Sequence, residues 1–397
     1  MTQDSAEHLL AALQRSGLFG HEQLDEARRE LVPSFPHAAA LGEYLVEIDW
    51  LTAFQLQYLL AGEWDEVVLG PYQLLDKVGE GGVCRVYRAW DTAGGRFVAL
   101  KVLHPHLAER ADAVASFKGE SRAISLMTHP NVIKAFASGE DEGRHFYAME
   151  FVEGMDLERF VQTAGPLPID HACDYVRQAA QGLQAAHQIG LVHRDVKPAN
   201  LFLVNPPLPP ATASPRRAPL DPVVKVIDWG LARTAAEGPA PGEVKGQLLG
   251  TADYMAPEQI QDSSLVDIRA DVYSLGCTLH YLLTGQPPFP GGSVMQKILQ
   301  HQEAAPPSLA HARPDVPDEL DALVRRMLAK RPEDRPQIPL LLVTPLRKIA
   351  LACAGRPVAG VAGPPRPGSS TVIPRPTLLN LPRPATSINL PLPRRDP

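Results

Sequence analysis

The chain has 397 residues, 45% of them hydrophobic, too long for one ordinary domain and rich enough in apolar side chains to bury a real core, which excludes a disordered or fibrous protein. Lys and Arg number 38 against 45 Asp and Glu, a net charge of −7, so the charge balance calls for neither nucleic acid nor a membrane surface as partner. The four cysteines, Cys84, Cys173, Cys277 and Cys353, stand far apart with no CxxC spacing. That argues against a disulfide framework or a zinc site and for a reducing, cytoplasmic setting. The N-terminus lacks a basic, apolar leader pattern and no run of about 18 apolar residues occurs, so neither a secretory signal nor a membrane span is expected.

The first 65 residues carry helical periodicity. Leu9, Leu10 and Leu13 form one turn-spaced stripe and Leu56, Leu59 and Leu60 another, which predicts a small helical domain over 1–65. Within it SGLFGHEQL (16–24) and IDWLTAFQL (48–56) share a turn-then-helix pattern, with Gln23 and Gln55 in matching positions about 32 residues apart. Two copies of one helical unit would produce that spacing. From Tyr72 strands with glycine punctuation take over, and after about residue 165 helices follow. The segment 170–188 stripes Val176, Ala179, Leu183 and Ala186, and 266–285 stripes Val272, Leu275, Leu279 and Leu282. A strand-rich part followed by a helical part is an α+β order.

Proline marks what lies outside the core. Of 40 prolines, seven fall in 205–222 and thirteen in 339–397, about half of the total in loop and tail. The first stretch lies between two strand-like runs, LFLV (201–204) and VVKVI (223–227), and reads as an insertion in a hairpin. The second contains the similar units PRPTLLNLP and PRPATSINLP. Residues 355–397 are therefore expected to form a disordered Pro/Arg-rich tail with about five net positive charges. The stretch 340–355 is short and interrupted by Pro345, Arg347 and Lys348, so it reads as a last helix of the fold rather than a membrane span.

Five local patterns carry chemistry. Gly79-Glu80-Gly81-Gly82-Val83-Cys84 separates two strand-like runs; such a hairpin can bring backbone N–H groups close to phosphates, and it can equally be an ordinary tight turn. Lys101 ends the apolar run Val98-Ala99-Leu100, where its charge needs an anionic partner unless it snorkels to water. His193-Arg194-Asp195-Val196-Lys197-Pro198-Ala199-Asn200 packs an acid, bases and an amide between a helix and a strand, too dense in polar function for a plain connection. Asp228-Trp229-Gly230 puts a carboxylate at the end of a strand, and Ala256-Pro257-Glu258 closes a segment of about thirty residues that begins there.

In this order the five resemble the protein-kinase family, specifically the eukaryotic-type (Hanks-type) serine/threonine kinases found in bacteria, over roughly residues 70–350. The resemblance implies a bilobal fold with an N-lobe at 72–165 and a C-lobe at 166–352 carrying the insertion at 205–222. It implies Mg²⁺-dependent transfer of the ATP γ-phosphate to Ser/Thr hydroxyls of protein substrates, with Lys101 on the α- and β-phosphates and Glu120 as its partner. Asp195 would accept the substrate proton, Lys197 would stabilise the transferred group, and Asn200 and Asp228 would hold Mg²⁺. The phosphates would lie against Val78, Gly79, Glu80, Gly81, Gly82, Val83 and Cys84. The base would lie between Val86, Ala99 and Met149, bonded to the backbone around Glu150 and Val152, with Asp156 on the ribose. The stretch Gly250 to Met255 resembles the substrate-docking loop, Glu258–Arg335 a buried structural ion pair, and Asp271 the carboxylate that braces the catalytic loop. Lys197 and Thr251 match the serine/threonine branch of the family.

Two positions depart from the family pattern: Cys84 where a third glycine is usual and Trp229 where phenylalanine is usual. They keep open a pseudokinase or adaptor that binds partners without phosphoryl transfer. The helical domain and the tail are expected to meet a protein partner. Between Asp228 and Glu258 the only hydroxyl residues are Thr234, Thr251 and Tyr254, so Arg194 would find Glu237 or Glu243 where relatives of this type offer a phosphorylated residue.

Overall fold

Two short polar signatures start the chain's first helices. Ser5 accepts from the His8 amide (3.3 Å) and so caps α1, Ala6–Ser16, which ends at Gly17 with φ +69°, the left-handed turn that glycine adopts without strain. α2, His21–Glu26, runs on into a π turn, Ala27–Leu31. The arrangement is then repeated by α3, Ala38–Glu47, and α4, Ala53–Ala61. The two units are tied reciprocally, since Ala6 N–H donates to Pro36 O and Ala38 N–H to Asp4 O, both at 2.9 Å. The glutamines matched in the sequence do the same work in each unit. Gln23 Oε1 accepts from the Gly20 amide (3.1 Å) and Gln55 Oε1 from the Thr52 amide (3.0 Å). With Thr52 Oγ1 accepting from the Gln55 amide this is a full capping box at α4, whereas Gly20, without a side chain, leaves α2 with the glutamine half alone.

Leu9, Leu10 and Leu13 lie in the core of these helices. On α4 the apolar stripe is not the buried face. Leu59 is 1% exposed, but Leu60 is 45% exposed and Leu56 only half-buried. The inward row is Thr52, Gln55 and Leu59, at helical spacing on a face rotated from that of Leu56 and Leu60.

The structure, a computed structural model, describes residues 4–206, 221–230, 233–234, 252–261 and 266–355. The expected insertion at 205–222, apart from its ends, and the tail beyond Gly355 lie outside the described residues. The described chain divides into two compact units.

One unit holds the four helices and a six-stranded sheet of order β1-β2-β3-β4-β6-β5. Its strands are β1 Val68–Leu69, β2 Tyr72–Glu80, β3 Cys84–Asp91, β4 Arg96–Leu103, β5 Ala135–Asp141, which enters this unit at Gly139, and β6 Arg144–Glu150. The helices pack on β2 and β3, where Phe54 on α4 sits 5.9 Å from the Tyr87 ring. The sheet alternates accordingly. Tyr87, Ala89, Val98, Leu100 and Ala148 are buried on one face, and the other face carries Val86, Ala99, Lys101 and Met149.

The second unit contains α5, Pro105–Ala108, except its first residue, α6, Ala111–Ser125, α7, Leu157–Ala164, and α8, Ile169–Gln188. Later helices include Ile268–Thr284, buried along its whole length, and Leu340–Cys353, which buries Leu342, Leu346 and Ile349 despite Pro345. A three-stranded sheet of order β10-β9-β7 joins Val223–Val226, Leu201–Val204 and Gly154–Asp156, and a short ladder pairs Arg233–Thr234 with Leu191–Val192. Asn131 Nδ2 donates to Val224 O (2.9 Å) and to Gln178 Oε1 (3.1 Å), which holds β10, and the Asp228 turn beyond it, against α8. Among the described residues no helix is long and apolar enough to cross a membrane.

Candidate functional site

In the first unit the ladder register sets the nucleotide candidates side by side. Val86 pairs with Lys101 and Lys101 with Tyr147, while Ala99 pairs with Met149. Lys101 is only 8% exposed, and its Nζ sits 5.7 Å from the centre of the Tyr147 ring, within reach of a cation–π interaction. The hairpin from Gly79 to Cys84 is closed by the Gly81 amide donating to Cys84 O at 2.9 Å. Its tip is pinned from β4. The His104 amide donates to Val83 O (3.0 Å) and His104 Nε2–H to Gly81 O (2.7 Å). Sequence reasoning missed His104, because a single histidine after a strand carries no signal. Cys84 opens β3 as a buried residue, on the face that carries Val86. Val78 is exposed, and Glu80 is tied on the surface to Lys77 (2.7 Å) and Arg85 (3.0 Å).

In the second unit the segment His193–Asn200 is held from three sides. Asp271, fully buried on helix Ile268–Thr284, accepts from the His193 amide (2.9 Å) and the Arg194 amide (2.8 Å). These bonds hold Arg194 at φ +67°, a conformation costly for a side chain of its size. Burial pushes the Asp271 carboxyl up, and the two amides and the neighbouring His193 oppose it. The Asp195 amide donates to His193 Nδ1 (3.2 Å), which leaves Nε2 as the protonated nitrogen, and that donates to Ile227 O (3.1 Å). Gln259 Nε2 donates to Arg194 O (2.8 Å), a support that sequence reasoning also missed, although it directly follows Glu258.

Around Asp195 the polar groups converge. Oδ2 accepts from Lys197 Nζ (2.8 Å) and Asn200 Nδ2 (3.0 Å), and Asn200 also donates to Asp195 O (2.8 Å). Oδ1 is buried with no hydrogen-bond partner among the described residues, an acceptor whose desolvation none of them offsets. The Ile227 amide donates to Asn200 O (3.0 Å), which sets the Asp228 turn beside Asn200. Asp228 has φ +59°. Trp229 is fully buried, its ring 4.6 Å from that of His193, so the larger ring at this position packs against the histidine that opens the 193–200 segment. Glu120 on α6 is 5% exposed, and a Cβ built on Gly230 would stand 3.5 Å from its Oε2. Asp156 caps α7 by accepting from the Arg159 amide (2.8 Å), a structural duty beside the role expected of it.

Glu258 and Arg335 meet in a two-pronged buried pair, with Nη1–Oε1 at 2.6 Å and Nη2–Oε2 at 2.8 Å. Carbonyls of Ala329, Arg269 and Lys330 take other guanidinium protons, and the Tyr273 ring lies 4.9 Å from Cζ. Of the docking-loop stretch, Gly250 and Thr251 lie outside the described residues. Asp253 pairs with Lys297 (2.6 Å), and Tyr254 O accepts from Ser274 Oγ (2.7 Å).

Beside this pair Tyr273 OH is 2.8 Å from His301 Nδ1. Burial, then the Lys330 ammonium, pulls the fully buried His301 imidazole down from 6.5 to about 4. A depressed histidine binds its proton more readily in the unfolded chain, so its contribution to stability is complete above about pH 6.5 and is lost as pH falls towards about 4, a change of about 3 kcal/mol. Urea titrations from pH 8 to pH 4 should show this slope, and His301→Gln should flatten it. A slope equal to wild type in the variant would contradict the assignment.

The protein kinase domain model matches residues 72–346, and the chain belongs to that family. The chain is similar to the serine/threonine-protein kinase PknB of Mycobacterium leprae, 39% identical over 272 residues that make up 67% of this chain and 41% of the relative. It is also similar to the serine/threonine-protein kinase Pkn1 of Myxococcus xanthus, 38% identical over 266 residues, 67% of this chain and 36% of that one. The chain thus spans well under half the length of these curated relatives. Among solved structures, the kinase domain of Mycobacterium tuberculosis PknI superposes with a TM-score of 0.53 at 27% identity, covering 71% of this chain and 98% of that one.

Proposed function

We propose that the chain is a serine/threonine protein kinase that transfers the γ-phosphate of ATP to Ser/Thr hydroxyls of proteins, and that it also phosphorylates itself. The observation that carries this reading is the Asp195 carboxylate, with Oδ2 fixed by Lys197 and Asn200 and Oδ1 buried without a partner among the described residues. An acceptor of that kind suits the proton of an incoming hydroxyl. As the substrate oxygen bonds to the γ-phosphorus and the bond to the ADP oxygen breaks, Asp195 takes the hydroxyl proton, and Lys197 Nζ, already beside it, neutralises charge on the moving group. Lys101 is assigned to the α- and β-phosphates, with Glu120 as the carboxylate the family gives it.

The backbone from Val78 to Cys84 is assigned to the phosphates, Val86, Ala99 and Met149 to the base, Glu150 and Val152 to its hydrogen-bonding edge, and Asp156 to the ribose. Asn200 and Asp228 offer oxygen donors alone, the set that suits Mg²⁺ shared with phosphate oxygens. When bound there, Mg²⁺ would neutralise phosphate charge. The four cysteines are free and buried, which supports a reducing, cytoplasmic setting. Protein partners for the helical unit and the tail, with neither nucleic acid nor a membrane involved, complete the proposal.

The direct test is incubation with radiolabelled ATP, Mg²⁺ and a generic basic protein, whose serines and threonines should become labelled. Nucleotide binding without any transfer would instead favour the pseudokinase. Thr234, Glu237, Glu243 and Thr251 lie wholly or in their side chains outside the described residues, and the sequence argument about them gives a separate expectation. Activity should survive phosphatase treatment, with autophosphorylation falling mainly on Ser369, Ser370, Thr371, Thr377, Thr386 and Ser387. Loss of activity together with a mapped phosphate on Thr234 would show that an activation-segment switch operates.

A further inference from the structure

β2 breaks its ladder with β3 twice, between Leu74 and Asp76 and between Lys77 and Gly79. The second break runs directly into the glycine hairpin. At the first, two carbonyls are taken up by the helical unit: Gln55 Nε2 donates to Leu74 O at 2.9 Å and Thr52 Oγ1–H to Leu75 O at 2.6 Å. All four residues are buried, from 0% exposed at Leu74 to 4% at Gln55 and Leu75. A buried carbonyl without a donor is costly, and a bulge bends and twists the strand that carries it. The helical unit therefore stabilises the bend in β2 a few residues before the hairpin begins. Other links between the helical unit and the sheet include Arg144 Nη1 on Asp65 O (3.1 Å), Gln73 Nε2 on Leu18 O (3.5 Å) and the Phe54–Tyr87 ring pair.

We propose that Thr52 and Gln55 are positioning residues for the glycine hairpin. Through the β2 bulge, the N-terminal helical unit sets the hairpin's aim and with it the affinity for ATP. This rests on the reading of that hairpin as the phosphate-binding element.

The internal repeat supplies its own control. Gln23 makes the same bond back to its N-cap amide as Gln55, but on an exposed turn. Gln→Glu at either site keeps the oxygen that caps the helix. At position 55 it also removes the donor to Leu74 O and sets a carboxylate against that carbonyl. In the full chain, Gln55→Glu should raise the Kd for a fluorescent ATP analogue and the KM for ATP roughly three- to tenfold, the factor that one net hydrogen bond supports. The kcat should stay within about twofold of wild type, since nothing that touches the transferred group changes. Gln23→Glu should match wild type, as should Thr52→Ser, whereas Thr52→Val should shift the same way as Gln55→Glu. If Gln55→Glu does not fold by circular dichroism, the Val and Ser pair at Thr52 decides the question.

Equal affinities for wild type, Gln55→Glu and Thr52→Val would overturn the proposal and leave the kinase reading intact. So would an equal shift in Gln23→Glu, or a fall in kcat with KM unchanged. A wild type that binds the analogue but transfers no phosphate would end the kinase reading and leave this one to the Kd values. A wild type that does not bind the analogue would overturn both.

Discussion

Asp195→Asn is expected to lower phosphoryl transfer by roughly a thousandfold while leaving the fold intact. The side chain keeps its shape and one acceptor oxygen for Lys197 and Asn200, and the other bonds that hold the loop do not use the carboxylate. The Asp195 amide still reaches His193, Asn200 still reaches the Asp195 carbonyl, and Asp271 still holds the amides before it. What is lost is chemical. An amide cannot take the hydroxyl proton, and it removes the negative charge opposite Lys197 Nζ, 2.8 Å away. Single-turnover assays with labelled ATP should show the loss, with melting temperature and ATP-analogue affinity near wild type. Lys101→Met should fail differently, with weakened ATP affinity as well as turnover, because Lys101 is assigned to the phosphates of the nucleotide itself. Wild-type activity no higher than that of both variants would turn the reading to a pseudokinase.

Glu258→Ala is expected to cost about 3–5 kcal/mol of stability, the largest loss of any single side chain considered. Arg335 is 1% exposed, and without its partner the guanidinium keeps three carbonyls but no opposite charge. The nearby Lys330 ammonium, pulled down to about 8 chiefly by burial, carries the same sign of charge and cannot replace the carboxylate. The reference state matters, because replacing both partners by apolar residues of similar volume could cost far less than removing one. Urea unfolding should therefore show a shifted midpoint at unchanged slope for Glu258→Ala. A loss below about 1 kcal/mol would mean that the pair is solvated after all.

Much of the site was legible because its residues are contiguous. His193 to Asn200 carries acid, base and amide in eight positions, and a tight loop between a short strand and a 3-10 turn necessarily places them together. The Asp228 turn announced itself as a carboxylate after an apolar strand. Lys101 at a strand end could be matched to Val86 only through the ladder register, which period-two alternation implies but does not specify. The fold class followed from the same kind of evidence, a change of period from two to about 3.6 along the chain.

By itself, then, the sequence determined the order of strand-rich and helix-rich parts, the repeated helical unit with its matched Gln23 and Gln55, and the choice of candidate groups for the site. These are features of short segments, where spacing alone sets which side chains share a turn or a face. Only the tertiary structure decided which face of α4 is buried, and it chose Thr52, Gln55 and Leu59 over the apolar Leu56 and Leu60. The reason is that the bulged strand β2 presents carbonyls there, and a buried carbonyl without a donor costs as much as several exposed methylenes. Tertiary structure likewise paired Glu258 with Arg335 and set Asp271 under His193 and Arg194, contacts between residues 77 to 78 positions apart. Over such distances no local pattern survives, and burial together with hydrogen-bond satisfaction selects the partner.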